Sequence, residues 1–419
     1  MTYLERKIDT YLMQWKQEKE HKPLIVKGPR QVGKTESVRR FAEANYEHVI
    51  YINFVEEPKY RMITADGYNT DAIIKNISLL DTSKIFEPHK TIIFFDELQD
   101  FPEIATALKF FKLDGRFDVI CSGSMLGINY KRIESNSVGY KTDYEMYSLD
   151  FEEFLWALDN ESLMDFIKVF FEKKKPLGAA LHRKAMDYFR QYMIVGGMPQ
   201  AVERYVETKD FERVDRVKRD ILELYRADIV KHAQGYEMKV EQIFDDIPAQ
   251  LQKHDKKFKL SSLKKEARFR EYESSFFWLA ESRVVNICYN STAPDIGLRL
   301  NEERTTLKCY MADTGLLISH AFNLKTIMGN ELYLKLALGK LELNEGMLVE
   351  NVVAQMLRAS GYELFFFSKN SATSAEDRME IDFLIPKPVI TNRHNISPIE
   401  VKSGKSFTTT SLNKLRAKF

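Results

Sequence analysis

A chain of 419 residues exceeds the roughly 250 residues at which a single hydrophobic core stops growing, which predicts several domains. Its 44% hydrophobic and 12% aromatic content excludes wholesale disorder. Lys and Arg number 62 against 61 Asp and Glu, a net charge of +1, so no overall field draws in a polyanion and any contact with nucleic acid has to come from a local patch.

From the N-terminus, Leu4, Ile8, Tyr11, Leu12 and Trp15 recur at helical spacing, which predicts an amphipathic helix ending before Pro23. Short apolar runs at 24–27, 49–54, 91–96 and 117–122 alternate with helical stretches at 36–45 and 104–112. Apolar runs with no polar face, separated by helices, predict a parallel α/β sheet. Beyond about Phe151 the pattern turns to long helical periodicity through Phe154, Leu155, Leu158, Leu163, Phe166 and Ile167, so the sheet domain ends there. The string YMIVGGMPQA at 192–201 sets two glycines and a proline between helices, which reads as a turn. Residues 253–270 hold eight Lys or Arg against Asp255 and Glu266, the most basic window of the chain. A helix through Tyr272, Phe276 and Leu279 and a β-rich run at 283–289 follow, an order that suggests a winged helix. Helix and strands return from about Asn344, with strands expected at 363–367, 380–385 and 399–402. No apolar run approaches the ~20 residues that cross a bilayer. Cys121, Cys288 and Cys309 stand far apart with no CxxC pair, so the chain reads as cytoplasmic, with no disulfide framework or zinc site.

Residues Gly28, Pro29, Arg30, Gln31, Val32, Gly33, Lys34 and Thr35 match GxxxxGK[ST] between an expected strand and an expected helix. Glycines in such a loop let backbone N–H groups turn inward around phosphates, and the helix N-terminus adds its positive dipole end. Lys34 is placed to reach the β and γ phosphates and the Thr35 hydroxyl to ligate Mg²⁺. Asp96 and Glu97 close the 91–96 strand, where one carboxylate can hold the metal and the next can activate the attacking water. Ser122, Gly123 and Ser124 end the following strand, with Ser124 placed to sense the γ-phosphate. No guanine-reading NKxD element follows a strand, so ATP with Mg²⁺ is the expected ligand. In the basic window, Lys256, Lys257, Lys264, Lys265, Arg268 and Arg270 are candidate contacts to DNA phosphates; a solvated helical face has the same composition.

The strings GPRQVGKT, FFDELQ, CSGSM, SLDFEEFL (148–155), GGMP (196–199) and ADTGLL (312–317) resemble those of predicted AAA-superfamily ATPases of bacteria and archaea. Those proteins carry a C-terminal domain of unknown function that contains a winged helix and a restriction-endonuclease-like fold. The resemblance covers nearly the whole chain. It implies an α/β architecture: an AAA-like P-loop domain over 1–155, a helical, lid-like subdomain over 156–215, a winged helix over 216–320 and a nuclease-like α/β domain over 321–419. It also implies nucleotide binding by Gly28, Gly33, Lys34 and Thr35, with Asp96 and Glu97 as metal and water residues and Ser124 as sensor. Gly139 is followed by Tyr140 where many relatives carry Arg, so no transition-state arginine is assigned.

Near the C-terminus, Glu350 on a helical stretch, Asp382 in EIDFLI, and Glu400 with Lys402 in PIEVKS resemble the PD-(D/E)xK nuclease pattern. Two carboxylates would hold Mg²⁺ against a scissile phosphate and the lysine would position the water. Two positions apart on a strand, Glu400 and Lys402 would share a face. Few residues follow Lys402, so this domain is expected to be incomplete. The resulting reading is a Mg²⁺-dependent ATPase whose nucleotide state controls the C-terminal module on DNA, as a homo-oligomer or with a partner protein. Two alternatives stay open: a non-hydrolysing ATP-dependent scaffold, and an ATP-gated metal-dependent nuclease.

Overall fold

The computed structural model of the chain describes residues 3–124, 137, 139–322, 333, 335, 345–369, 378–387, 389, 395–404 and 407–418. It divides into two compact units, Met1–Leu149 with Glu281–Arg283, and Asp150–Ala280 with Val284–Phe419.

The first unit opens with α1 (Lys7–Gln17), which buries Ile8, Leu12 and Trp15, the stripe its spacing predicts. It continues through β1 (Leu24–Lys27), α2 (Lys34–Asn45), β2 (His48–Asn53), α3 (Thr70–Leu80), β3 (Thr91–Asp96), α4 (Ile104–Asp114), β4 (Asp118–Gly123) and β5 (Thr142–Glu145). The strands form one parallel sheet in the order β2-β3-β4-β1-β5. Every residue of β3 is buried, as a strand covered on both faces requires. Ile50, Ile52, Ile93, Phe95, Leu108 and Phe111 lie in one core cluster that joins sheet to helices. β5 escapes sequence reading because Thr142, Asp143, Tyr144 and Glu145 present no apolar run.

The second unit begins with helices α5 (Phe151–Trp156), α6 (Glu161–Glu172), α7 (Ala179–Val195), α8 (Pro199–Thr208), α9 (Phe211–His232), α10 (Glu237–Gln252) and α11 (Glu273–Glu281). Strands β6 (Val285–Ser291) and β7 (Glu302–Met311), helices α12 (Thr314–Ala321) and α13 (Glu345–Ala359), strands β8 (Leu364–Lys369), β9 (Met379–Pro386) and β10 (Ile396–Ile399), and helix α14 (Thr410–Lys418) complete it. The SLDFEEFL string starts α5 as a capping box: Asp150 accepts from the Glu153 amide at 2.9 Å and Glu153 from the Asp150 amide at 3.0 Å, satisfying two helix-end donors.

The GGMP and ADTGLL strings meet backbone to backbone. Gly196 has φ +79, and a Cβ there would sit 2.2 Å from Asp313 Oδ1; a Cβ on Gly315 would sit 2.4 Å from the Val195 carbonyl oxygen. Asp313 accepts from the Gly197 amide at 2.7 Å and from the Leu316 amide at 3.0 Å, capping α12. Fully buried Lys218 donates to the Ile194 carbonyl at 2.7 Å, and burial pushes its ammonium down to about 8 against the pull of Asp215 and Asp313. Buried polar groups this well partnered specify one packing of α7, α9 and α12.

β6 and β7 pair antiparallel, β6 pairs parallel with β8, and the five strands make one sheet in the order β10-β9-β8-β6-β7. β6, within the β-rich run expected at 283–289, is therefore built into a sheet that has strands on both sides of residues 320/321. The strand expected at 399–402 ends at Ile399, so Glu400 and Lys402 follow β10 instead of sharing its face. Pro398 offers no amide to the ladder, and beyond Ile399 the Val401 amide donates to the Asp382 side chain at 2.8 Å. The residues after Lys402 supply α14, whose Leu415 joins the cluster formed by Phe365, Phe367, Ile381 and Leu384.

Replacing Gly315 with Ala forces a methyl into the Val195 carbonyl, so the denaturant midpoint should fall by the equivalent of about 1–3 kcal/mol. An unchanged midpoint would mean that the joint is not tight.

Candidate functional site

The parallel strands of the first unit end at a common edge, with Lys27 beside Gly123 and Asn53 beside Asp96 in register. Ligands of such sheets bind beyond the carboxyl ends of the strands. The loop after β1 passes so close to the chain that a Cβ on Gly28 would lie 2.3 Å from the Met146 carbonyl oxygen, so only glycine fits. Gln31 and Gly33 turn with φ 67 and 91, and α2 starts at Lys34. Arg6, 5% exposed, pins the loop by donating to the Val32 carbonyl at 2.9 Å and the Tyr147 carbonyl at 2.8 Å. Nothing in the sequence distinguishes Arg6 from the charged residues around it.

The Lys34 ammonium donates to the loop carbonyls of Pro29 at 2.7 Å and Gly28 at 3.1 Å. Burial pushes it down to about 8; Glu97 and Asp96 oppose the shift and Arg30 adds to it. Asp96 is 2% exposed. Its Oδ2 accepts from the Thr35 hydroxyl at 2.8 Å and the Tyr51 hydroxyl at 3.1 Å. Its Oδ1 accepts from the Ser122 hydroxyl, and from the Glu97 amide at 2.9 Å. Glu97 sits in the left-handed region with φ 56. The Gln99 amide donates to the Glu97 carboxylate, while Gln99 Oε1 accepts from the Ser124 amide at 3.1 Å. Ser124 Oγ is buried with no hydrogen-bond partner among the described residues.

The residues present fit a magnesium triphosphate. Thr35 and Asp96 offer adjacent hard oxygens, Lys34 is held only by carbonyls, and the orphaned Ser124 hydroxyl waits at the next strand end. Lys34, Thr35, Asp96, Glu97 and Ser124 all lie at this sheet edge. Ser122, expected only as a polar strand end, serves Asp96. Tyr51 and Gln99 were not legible as site residues, because a tyrosine inside an apolar strand and a glutamine after a strand are ordinary there.

In the second unit, Glu350 and Asp382 also converge, but on a lysine. Lys308 of β7 is 1% exposed and lies 3.2 Å from Glu350, 3.0 Å from Glu380 and 3.4 Å from Asp382. Burial alone would lower the Lys308 ammonium, yet the three carboxylates outweigh it and hold it well above the usual lysine range. Glu350 stays below its usual range despite burial because Lys308 and Lys256 face it. Burial and the charge of Glu350 push Asp382 up. Glu400 and Lys402 pair with each other at 2.6 Å. Glu380 shares the Asp382 face of β9 by its spacing of two and was findable on that ground; Lys308, in a strand that opens with Glu, Glu, Arg and Thr, was not.

The basic window divides. Lys256 pairs with Glu350 at 2.6 Å and Lys257 with Glu380 at 3.6 Å, which turns both inward, whereas Lys264, Lys265, Arg268 and Arg270 are exposed. No helix among the described residues is long and apolar enough to cross a membrane.

A five-stranded parallel sheet whose first strand runs through a glycine-rich loop into a helix defines a P-loop nucleoside-triphosphatase fold. Residues 20–155 match the AAA domain family. Residues 186–326 match a domain of unknown function (DUF8612) and residues 345–419 another (DUF4143). No curated protein matches the sequence. Solved structures with partial likeness include PCH-2 of C. elegans (11% identity, 50% of this chain and 67% of that one, TM-score 0.30). Others are the ORC1 protein of Aeropyrum pernix in complex with DNA (12%, 78% and 92%, 0.26) and Drosophila ORC bound to DNA (12%, 79% and 94%, 0.30). Overlap at that level fixes neither a ligand nor a partner.

A triphosphate seated against Lys34 favours its charged form, so binding should take up a proton above the depressed value of about 8 and take up none well below it. Calorimetry at about pH 9 in two buffers of different ionisation enthalpy should give different heats; equal heats would remove Lys34 from the phosphate site.

Proposed function

We propose that the chain binds ATP with Mg²⁺ and hydrolyses it, and that the nucleotide state controls the C-terminal module. The observation that carries this reading is the Thr35–Asp96 contact at 2.8 Å, with Lys34 and the orphaned Ser124 hydroxyl on the same sheet edge. On binding, Lys34 exchanges the Gly28 and Pro29 carbonyls for phosphate oxygens. Thr35 and Asp96 would hold the metal, whose charge would offset the negative charge that develops on the phosphates. Glu97 takes the proton of the attacking water, and the Gln99 amide sets the direction of its carboxylate. Ser124 donates to the terminal phosphate. Arg6 keeps the loop in shape by holding the Val32 carbonyl.

Phosphate release tests the reading. Lys34→Ala should lose nucleotide binding, while Glu97→Gln should keep binding and lose on the order of 10²-fold or more in turnover. Equal rates in wild type and both variants would end the enzymatic claim, and tight binding without turnover in wild type would favour the scaffold alternative.

Contact with DNA rests on the four exposed cations Lys264, Lys265, Arg268 and Arg270. Each phosphate contact contributes about 0.9 to the slope of log affinity against log salt. Replacing all four by Ala should flatten that slope by about 3–4 in a mobility-shift series; an unchanged slope removes this patch from any DNA interface.

A further inference from the structure

Three carboxylates from two elements meet a single ammonium inside the second unit. Glu350 comes from α13, Glu380 and Asp382 from β9, and Lys308 reaches them from β7 at 3.0–3.4 Å. The remaining oxygens are also taken. Lys256 lies 2.6 Å from Glu350 Oε2, Lys257 3.6 Å from Glu380 Oε2, and the Val401 amide donates to Asp382 Oδ2 at 2.8 Å. The Tyr310 hydroxyl donates to Glu350 Oε1. Three acids therefore face three lysines, and Asp255 also lies 3.6 Å from Lys257. A divalent cation in this place would need the same inward-facing oxygens at about 2.0–2.6 Å, the oxygens Lys308 now holds. The Lys308 ammonium is 1% exposed and 5.1 Å from the centre of the Phe366 ring, and taking it away would leave buried Glu350 and largely buried Asp382 facing each other without it.

We propose that Lys308, in place of a divalent metal, is the resident cation of Glu350, Glu380 and Asp382. The inference is independent of ATP hydrolysis in the first unit. The charge is fixed covalently to β7, and the cluster ties β7, β9 and α13 together without a dissociable ion. Glu400 Oε1 pairs with Lys402, and its Oε2, buried without a hydrogen-bond partner among the described residues, stands outside the three acids that Lys308 holds.

Mn²⁺ titration of the nucleotide-free full chain by calorimetry, together with a plasmid-nicking assay in Mg²⁺ or Mn²⁺, tests this. Wild type and Asp382→Asn should bind Mn²⁺ identically, and neither should nick DNA. Lys308→Met, which keeps the stem and removes the charge, should gain one Mn²⁺ site that disappears in Lys308→Met combined with Asp382→Asn. If Lys308→Met is unstable without metal, its thermal midpoint should rise with Mn²⁺ while that of wild type does not. Nicking by wild type that Asp382→Asn abolishes, or a wild-type Mn²⁺ site that Asp382→Asn removes, overturns the proposal. So does a folded Lys308→Met that gains no metal.

Discussion

The carboxylate of Asp96 is the point on which the strand-end edge of the first unit depends. Buried at the end of β3, it accepts four hydrogen bonds, from Thr35 on α2, Tyr51 on β2, Ser122 on β4 and the amide of Glu97. A buried charge without such partners would be costly; with them, it fixes three neighbouring elements at one level. The same contacts bring the Thr35 hydroxyl beside the Asp96 carboxylate, and Glu97 leaves the strand in a left-handed conformation. Positioning and stability are here the same set of bonds.

Lys34 shows the complementary arrangement. It is buried and depressed, held by two carbonyls of its own loop, a weaker environment for an ammonium than a polyphosphate would be. Affinity in such a site comes from exchanging poor partners for good ones, and little of the geometry has to change because Arg6 and the Gly28 approach already hold the loop. Gln99 links the two sides, touching the Glu97 carboxylate and the Ser124 amide, so the ends of β3 and β4 are coupled through one side chain.

The second unit handles buried charge differently. Around Asp313 and Lys218 each charge is met by backbone and capping bonds, and around Lys308 acids and lysines cancel within the protein. The GGMP and ADTGLL strings acquire a physical meaning from this: two glycines permit the backbone contact and one aspartate bonds across it. They form a joint between helices.

What the sequence by itself determined is local. A continuous apolar run makes a buried strand, a glycine-rich loop before a helix makes a phosphate-sized turn, and a DE pair ends a strand, so β1 to β4, the loop and the five residues Lys34, Thr35, Asp96, Glu97 and Ser124 were legible. What only the tertiary structure decided depends on pairing between distant segments. Lys308 meets Glu350 and Asp382 because β7 joins β6 in a sheet that also contains β9, and Arg6 reaches Val32 because α1 packs on the loop. Tyr51 meets Asp96 because β2 lies beside β3. Periodicity reports which face of an element is apolar, but carries no information on which element that face will meet, and it was those meetings that turned an expected metal site into a lysine-filled one.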